Sequence, residues 1–318
     1  MAISDSYNWS MSRNDLIQDG YEEATILGEG ETLSAEQITK GARKLNQIIQ
    51  QWASSADYSP GFKVWARKRA YLFLQSGQVK YLLGDASTDD NYTYSYVTTT
   101  GTAIEPTSET SIAVDSITGI SSGDYFGIEL ADGTIHWDVV NGAPSGSTVV
   151  LTTGLASASK VGSQIFTYTT KAPRPQRVLQ VTRRNTNGED TPLSEIVDWA
   201  DYESIEDKDS IGTPTQYHPE PQTSNVNLFL DQAPADVTDV IRLTVRRPLS
   251  DFDASSDTPD FPKIWYRPLS LQLAVDLCRS YGVTVSQDLK DALNEALTFA
   301  KSEYPQDTVT FFEPDRVE

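Results

Sequence analysis

The sequence predicts an α+β protein: a helical bundle core built from N- and C-terminal helices, with an all-β middle containing an inserted small β-barrel or sandwich. Three observations carry this expectation. Apolar residues recur at helical spacing near both ends of the 318-residue chain. Between those ends, short β-prone runs alternate with Gly, Asp, Asn and Pro. The charge is also unevenly placed along a chain of net charge −20, with 25 Lys and Arg against 45 Asp and Glu. Residues 1–80 are neutral overall, whereas residues 81–170 hold ten acidic side chains and one basic one, Lys160. A composition shift of that kind marks an inserted module.

The first helix is expected from Ser12, with Asp15 three residues on, through about Ala24; a short polar side chain at the start accepts backbone N–H groups that the first turn leaves unpaired. After the turn Leu27-Gly28-Glu29-Gly30-Glu31-Thr32, Ser34 and Gln37 form a capping box. Ile38, Ala42, Leu45, Ile49 and Trp52 then share one helix face as its interface. Gly41 lowers helix propensity there but permits close approach of a neighbouring helix. Ser59-Pro60-Gly61 ends the helix.

From residue 62 the apolar period becomes two. Residues 71–74 and 79–84, on either side of Gln75-Ser76-Gly77-Gln78, read as a β-hairpin within 62–84. Six short strands follow in the acidic insert, 85–170: Tyr92–Thr100, Ser111–Val114, Tyr125–Leu130, Thr134–Val140, Thr148–Thr152 and Gln164–Thr170. Asp132-Gly133 between two of them suits a primed hairpin turn. The β-rich region 171–260 contains strands at Arg177–Arg183, Thr215–His218, Asn227–Leu230 and Val240–Arg246, a turn at Asp231–Pro234, and a short helix over Thr191–Tyr202 that contains Trp199. Helices return at Ile264–Tyr281, stopped by Gly282, and from Ser286 to about Tyr304, stopped by Pro305. The organisation is therefore 1–61 N-terminal helices, 62–84, 85–170, 171–260, 261–305 C-terminal helices, and 306–318 an extended arm.

Chemistry-bearing residues are few. His136 and His218 lack a second histidine at ligand spacing, so each reads as a structural histidine. Cys278, the one cysteine, lies in an apolar helical run; it excludes an internal disulfide and fits a chain made in a reducing cytosol. Gly28 and Gly30 lack the third glycine and preceding strand of a dinucleotide fingerprint. Asp251, Asp253 and Asp257 lack the glycine and final Glu of a calcium loop. The expectation is a non-enzyme with no catalytic residue, cofactor or metal. The N-terminus lacks the pattern of a secretory signal. No run approaches the ~18 apolar residues of a membrane span. The basic features are Arg67, Lys68 and Arg69 with Arg242, Arg246 and Arg247; in so acidic a chain they point to ion pairing within or between subunits rather than to phosphate contacts.

Specific phrases carry a resemblance. The run Ile26-Leu27-Gly28-Glu29-Gly30-Glu31-Thr32-Leu33-Ser34-Ala35-Glu36, continuing to Leu45-Asn46-Gln47-Ile48-Ile49-Gln50-Gln51-Trp52, resembles the head-to-tail adaptor (tail accessory factor, or packaged-DNA stabilisation protein) of short-tailed bacteriophages. So do Gly212-Thr213-Pro214-Thr215-Gln216-Tyr217, Asn227-Leu228-Phe229-Leu230, Arg247-Pro248-Leu249-Ser250-Asp251-Phe252-Asp253 and Asp260-Phe261-Pro262-Lys263-Ile264-Trp265-Tyr266. The resemblance covers roughly residues 13–84 and 171–305. It implies a structural virion protein at the phage neck, assembled as a twelve-fold ring. That ring would bind the portal protein above and the tail nozzle or tube below, retain packaged DNA, and let DNA pass the lumen without specific binding.

An acidic ring would repel phosphate and prevent sticking. The insert would be free to meet tail fibres, and Val309, Phe311, Phe312, Pro314 and Arg316 would form an arm docking on the portal or a neighbouring subunit. Two other classes fit the composition: a virion-associated peptidoglycan hydrolase using a carboxylate pair, and a carbohydrate-binding module in the insert with Trp137 as its stacking residue.

Overall fold

The computed structural model describes residues 8–28, 30–54, 65–86, 88–89 and 91–302. The fold is α+β, and it divides into two compact units: a terminal unit, Met1–Ala66 with Leu249–Glu318, and a middle unit, Arg67–Pro248.

In the terminal unit, α1 (Arg13–Glu23) and α2 (Ala35–Ser54) pack on α4 (Tyr266–Tyr281), which in turn packs on α5 (Gln287–Ser302); α3 (Trp199–Glu203) belongs to the middle unit. The expected caps are present. Ser12 and Asp15 exchange side-chain and backbone hydrogen bonds at α1, Ser34 and Gln37 do so at α2, and Ser286 Oγ accepts the Leu289 N–H at α5. Gly282 closes α4 with a φ of 70°, in the left-handed region glycine favours. The core gathers Leu16, Ile17, Leu45, Ile49, Leu269, Leu273 and Leu277. Gly41 allows α2 to lie close against α1: a Cβ there would lie 2.6 Å from Ile17 Cγ2.

The middle unit is built from strands. β1 (Arg67–Phe73), β2 (Lys80–Leu83) and β3 (Tyr92–Thr93) precede the insert strands β4 (Val97–Thr100), β5 (Ser111–Ala113), β6 (Tyr125–Glu129), β7 (Ile135–Val139), β8 (Thr148–Val150) and β9 (Gln164–Tyr168). After these come β10 (Arg177–Arg184), β11 (Asp190–Pro192), β12 (Ser194–Glu195), helix α3 (Trp199–Glu203), β13 (Ile211–Gly212), β14 (Gln216–Pro221), β15 (Val226–Leu230), β16 (Ala233–Pro234) and β17 (Val240–Arg246). A five-stranded sheet runs β11-β10-β17-β1-β3 and a four-stranded one β12-β14-β15-β2. Both send side chains into one core: Ala70, Leu72, Val181, Leu243 and Val245 from the first, and Tyr81, Leu83, Tyr217, Leu228 and Leu230 from the second. The insert strands form β4-β9-β6-β7 and a separate β5-β8 pair, around Ile112, Val114, Phe126, Ile128, Val149, Leu151 and Ile165.

Several expectations need correction. The two strands expected at 71–74 and 79–84 do not pair as a hairpin. The turn at Gln75–Gln78 exists, closed by a 3.2 Å hydrogen bond from the Gln78 N–H to the Gln75 carbonyl, but β1 pairs with β17 and β3 while β2 pairs with β15. The reason is burial. Ala70 and Leu72 must meet Tyr81 and Leu83 face to face across the core, which places the two strands in opposed sheets. Tyr81 fastens this corner: its hydroxyl accepts the Gln75 N–H at 3.0 Å and lies 3.2 Å from the Gln75 carbonyl.

The Asp132-Gly133 turn is not of the primed type. Among the described residues only Thr25 and Ser108 of the non-glycines have positive φ, so Gly133 alone takes the left-handed position. The β6–β7 connection is a three-residue loop ending in that glycine, with the Asp132 carboxylate holding Thr134 N and Oγ1. Within 191–202, residues up to Glu195 are extended and the helix is confined to Trp199–Glu203, capped by the Asp198 side chain. Ala233–Pro234 is a strand paired in parallel with β13 rather than the end of a turn. Pro60 and Gly61, Tyr304, Pro305 and the arm residues Val309, Phe311, Phe312, Pro314 and Arg316 lie outside the described residues.

Two predictions follow from this packing. Gly41→Ala gains about 1 kcal/mol of helix propensity but overpacks a β-branched side chain, at a cost of about 1–3 kcal/mol; a lowered urea midpoint is expected. On β7, burial holds the His136 imidazole below its ordinary value, with Asp138 opposing. The folded protein therefore binds fewer protons at this ring than the unfolded chain does. The stability it contributes is complete above about pH 6.5 and is lost as pH falls from there. The urea midpoint should drop on acidification through that range, and the drop should be shallower in His136→Gln.

Candidate functional site

Alternation along a strand places residues two apart on one face, and cross-strand partners share that face. β1 faces its core with Ala70 and Leu72, so Arg67, Arg69, Tyr71 and Phe73 point the other way. Their partners on β17 are Arg246, Thr244, Arg242 and Val240. Those pair in turn with Arg177, Gln180, Thr182 and Arg184 on β10, across a bulge between Val178 and Gln180. The outer face of the sheet thus begins with three arginines side by side, Arg67, Arg246 and Arg177. It continues through Arg69, Arg242 and Arg184.

The two ends of this face differ. At the end of Phe73 and Val240 the insert covers it, through an aromatic cluster of Phe73, Phe166 and Tyr168 with Tyr71, Tyr96, Tyr125 and Trp137 around them. Phe73 lies 4.7 Å from Phe166 and 5.3 Å from Trp137 between ring centroids. Gln75 ties the same region to the edge strand β7: its side-chain amide donates to the Ile135 carbonyl at 3.2 Å and accepts the Ile135 N–H at 2.9 Å. At the other end the arginines stand with Thr and Gln side chains and the Asp190 carboxylate. Arg69, Gln180, Thr182, Asp190, Arg242 and Thr244 surround a polar cavity of about 180 Å³.

Asp190 on β11 is hydrogen-bonded to the Arg242 guanidinium and lies 4.0 Å from Arg184 Nε. The Arg242 hydrogen bond holds the Asp190 carboxyl below its ordinary value, aided by the positive fields of Arg184 and Arg69. Arg67, Arg69 and Arg177 are exposed, and among the described residues none has a carboxylate within ion-pairing distance.

Of the six basic residues singled out from the sequence, the structure brings four together: Arg67, Arg69, Arg242 and Arg246. Lys68 and Arg247 fall on the opposite side. Lys68 Nζ lies 4.1 Å over the Tyr94 ring, and burial pushes that phenol up to about 12 with Arg247 opposing. Arg177 and Arg184 join the face from β10, where the bulge between Val178 and Gln180 breaks the simple alternation of sides.

The remaining candidates are structural in their surroundings. Leu45 and Ile49 are buried in the helical core, Ile38 packs at its margin, and Trp52 sits 5.8 Å edge-to-face from Trp265. His218 shares a 2.7 Å hydrogen bond between Nδ1 and the Ile196 carbonyl and packs against Trp199 and Tyr202. Cys278 is buried, with its thiol pushed up by that burial. The Asp257 carboxylate accepts the N–H groups of Asp253 and Ala254, tying a turn. Among the described residues no group of three or more His, Cys, Asp or Glu could hold a metal ion, and no helix is long and apolar enough to cross a membrane. Trp137, the stacking residue of the glycan reading, is packed: a Cβ on Gly127 would lie 2.7 Å from its ring.

No protein-family model and no curated protein matches the chain. Among solved structures, VP17, a capsid protein of bacteriophage P23-77, overlaps it with a TM-score of 0.12 and 7% identity, over 60% of this chain and 76% of its own. An overlap that low carries no argument about fold or function.

Removing the Asp190 counter-charge tests the electrostatics of the face. Asp190→Asn should destabilise the middle unit at pH 7 relative to pH 3, because the depressed carboxyl contributes its stability above its ordinary range and loses it as pH falls through the folded value. Urea titrations of both forms at the two pH values measure this.

Proposed function

We propose that this chain is a structural virion protein of a short-tailed bacteriophage: a head-to-tail adaptor whose ring, twelve-fold in the family it resembles, joins the portal protein to the tail nozzle or tube. Its work is done through interfaces, not by catalysis. One observation carries the reading: the phrases that resemble the adaptor family, far apart in sequence, bond to one another in the terminal unit. Asn46 donates from its side-chain amide to the Phe252 carbonyl at 3.3 Å and accepts the Phe252 N–H at 2.9 Å, across 206 residues of sequence. Trp52 meets Trp265 in the same core. Residues of separate phrases therefore serve a single job, holding α2 against the segment that leads into α4.

On this reading the terminal unit is the helical bundle that builds the ring, and the 85–170 segment is an inserted small β-barrel or sandwich placed to meet tail fibres. A chain of net charge −20 gives a ring that repels phosphate, so genomic DNA passes without adhering and is retained by closure of the assembled tail. The apolar arm residues Val309, Phe311 and Phe312, with Pro314 and Arg316, dock on the portal or a neighbouring subunit.

Purified chain mixed with portal rings should co-sediment as a saturable complex. Phe311→Ala with Phe312→Ala should weaken that binding about tenfold or more, as loss of aromatic anchors does, with an unchanged melting profile. Absence of binding by the intact chain would overturn the adaptor reading; unchanged binding by the double variant would overturn the arm alone.

A further inference from the structure

A second cavity of the middle unit lies beside the aromatic cluster, where the insert strands meet the five-stranded sheet. Its volume is about 350 Å³, within the range of sites that hold small ligands. We propose that it binds a saccharide, with a preference for sugar rings that bear a carboxylate. The proposal does not rest on the adaptor reading.

The walls follow from strand register. Thr98 pairs with Phe166 and Thr100 with Gln164, so Tyr96, Thr98, Gln164 and Phe166 share the face of β4 and β9 that lines the cavity. The other wall is Arg184 with its partner Val240, and the loop between β10 and β11. Asn185 holds that loop in shape: its side-chain amide donates to Glu189 Oε2 at 2.7 Å and accepts the Glu189 N–H at 2.9 Å. Thr186 and Asn187, exposed at the loop's tip, also line the cavity.

Three features point to an acidic sugar. First, Thr hydroxyls and Asn and Gln amides both donate and accept hydrogen bonds, as sugar hydroxyls do. Among the described residues the side chains of Thr98, Thr186 and Asn187 make no hydrogen bond to the rest of the chain. Second, the Tyr96 ring is set in place, with Tyr71 and Phe73 packed edge-on at 4.8 and 5.2 Å between centroids. A fixed ring meets the C–H groups of a sugar at little cost in ordering. Third, in a chain with 45 Asp and Glu, no described residue lining this cavity carries a carboxylate, whereas Arg184 lines it. Arg184 Nε lies 4.0 Å from Asp190, and a Cβ on Gly188 would lie 3.4 Å from Nη2. The guanidinium thus lies across the glycine, and its planar fork suits the paired oxygens of a carboxylate.

Other ligand classes fit less well. A cation would meet a guanidinium and no counter-charge on these walls. A nucleobase needs open ring faces for stacking, and Phe166 is 2% exposed. Without a carboxylate pair on its described walls, the cavity binds a sugar rather than cleaving one.

The test is a saturation-transfer NMR titration of the full chain with D-galacturonic acid, its trisaccharide and D-galactose. The two acidic ligands should bind saturably, and galactose about tenfold more weakly, because it lacks the charge-assisted contact. A trisaccharide bound more tightly than the single sugar assigns the site to a polysaccharide; equal binding assigns it to the free sugar. Arg184→Gln should bring galacturonic acid to the affinity of galactose. Thr98→Trp fills the cavity from an exposed strand position and should weaken every ligand about tenfold or more. Asn187→Ala should weaken them about fivefold. Both variants should melt with the parent, so that lost binding does not report unfolding.

No saturable binding by any of the three ligands, or binding that survives Thr98→Trp, would overturn the proposal. So would galactose binding as tightly as galacturonic acid. Displacement of galacturonic acid by an equal concentration of inorganic phosphate would also overturn it, since the cavity would then be an unselective anion site. The adaptor reading fails separately, by absence of portal-ring binding in the intact chain.

Discussion

Antiparallel pairing at the places where the chain leaves and re-enters a unit is the constraint on which this architecture depends. β1 and β17 are the first and last strands of the middle unit, and they pair without interruption from Arg67↔Arg246 to Phe73↔Val240. The same device recurs one level in. Thr93 bridges Lys171, and the Thr93 hydroxyl donates to the Thr170 carbonyl at 2.8 Å, so the insert also departs and returns through neighbouring residues. Each closure satisfies backbone groups that a long excursion would otherwise leave exposed. Each also lets the outer segment complete its core from pieces distant in sequence, as the Asn46–Phe252 pair does in the helical unit.

That arrangement explains where stability and liability sit. The terminal unit relies on close helix contacts, with small residues where α1 meets its neighbours: a Cβ on Gly20 would lie 2.7 Å from Leu273 Cδ2, as one on Gly41 would from Ile17. The middle unit relies on two sheets sharing a core, with the insert seated on one end of the larger sheet through aromatic rings. The other end of that face, beside the closure, is where arginines stand opposed.

Local chemistry made much of the fold legible in the sequence. Ser12, Ser34 and Ser286 announce helix starts through short-range hydrogen bonds, and Gly282 announces a stop through its backbone; both signals lie within four residues and survive any tertiary context. The strands from Arg67 to Val245 were legible as strands, since alternation is also local. Their partners were not. The stretch 71–84 contains a turn between two apolar runs, and nothing in it tells a hairpin from a corner between sheets; that depends on Tyr217, Leu228 and Leu243, more than a hundred residues away. The arginine face was half legible. Arg67 and Arg69 share a side by simple alternation, as do Arg242 and Arg246, but joining them to Arg177 requires the register of two strand pairs and a bulge.

On the proposed reading, the packing of α1 and α2 with α4 and α5 in one core, the acidity of the whole and the phrases that resemble head-to-tail adaptors fit a subunit that stands beside copies of itself on another ring. The central claim is therefore one of stoichiometry. Quantitative mass spectrometry of purified virions, counting this chain against portal protein, tests it most directly. The account predicts equal copy numbers; a clear excess of this chain, or its absence from the particle, would contradict it.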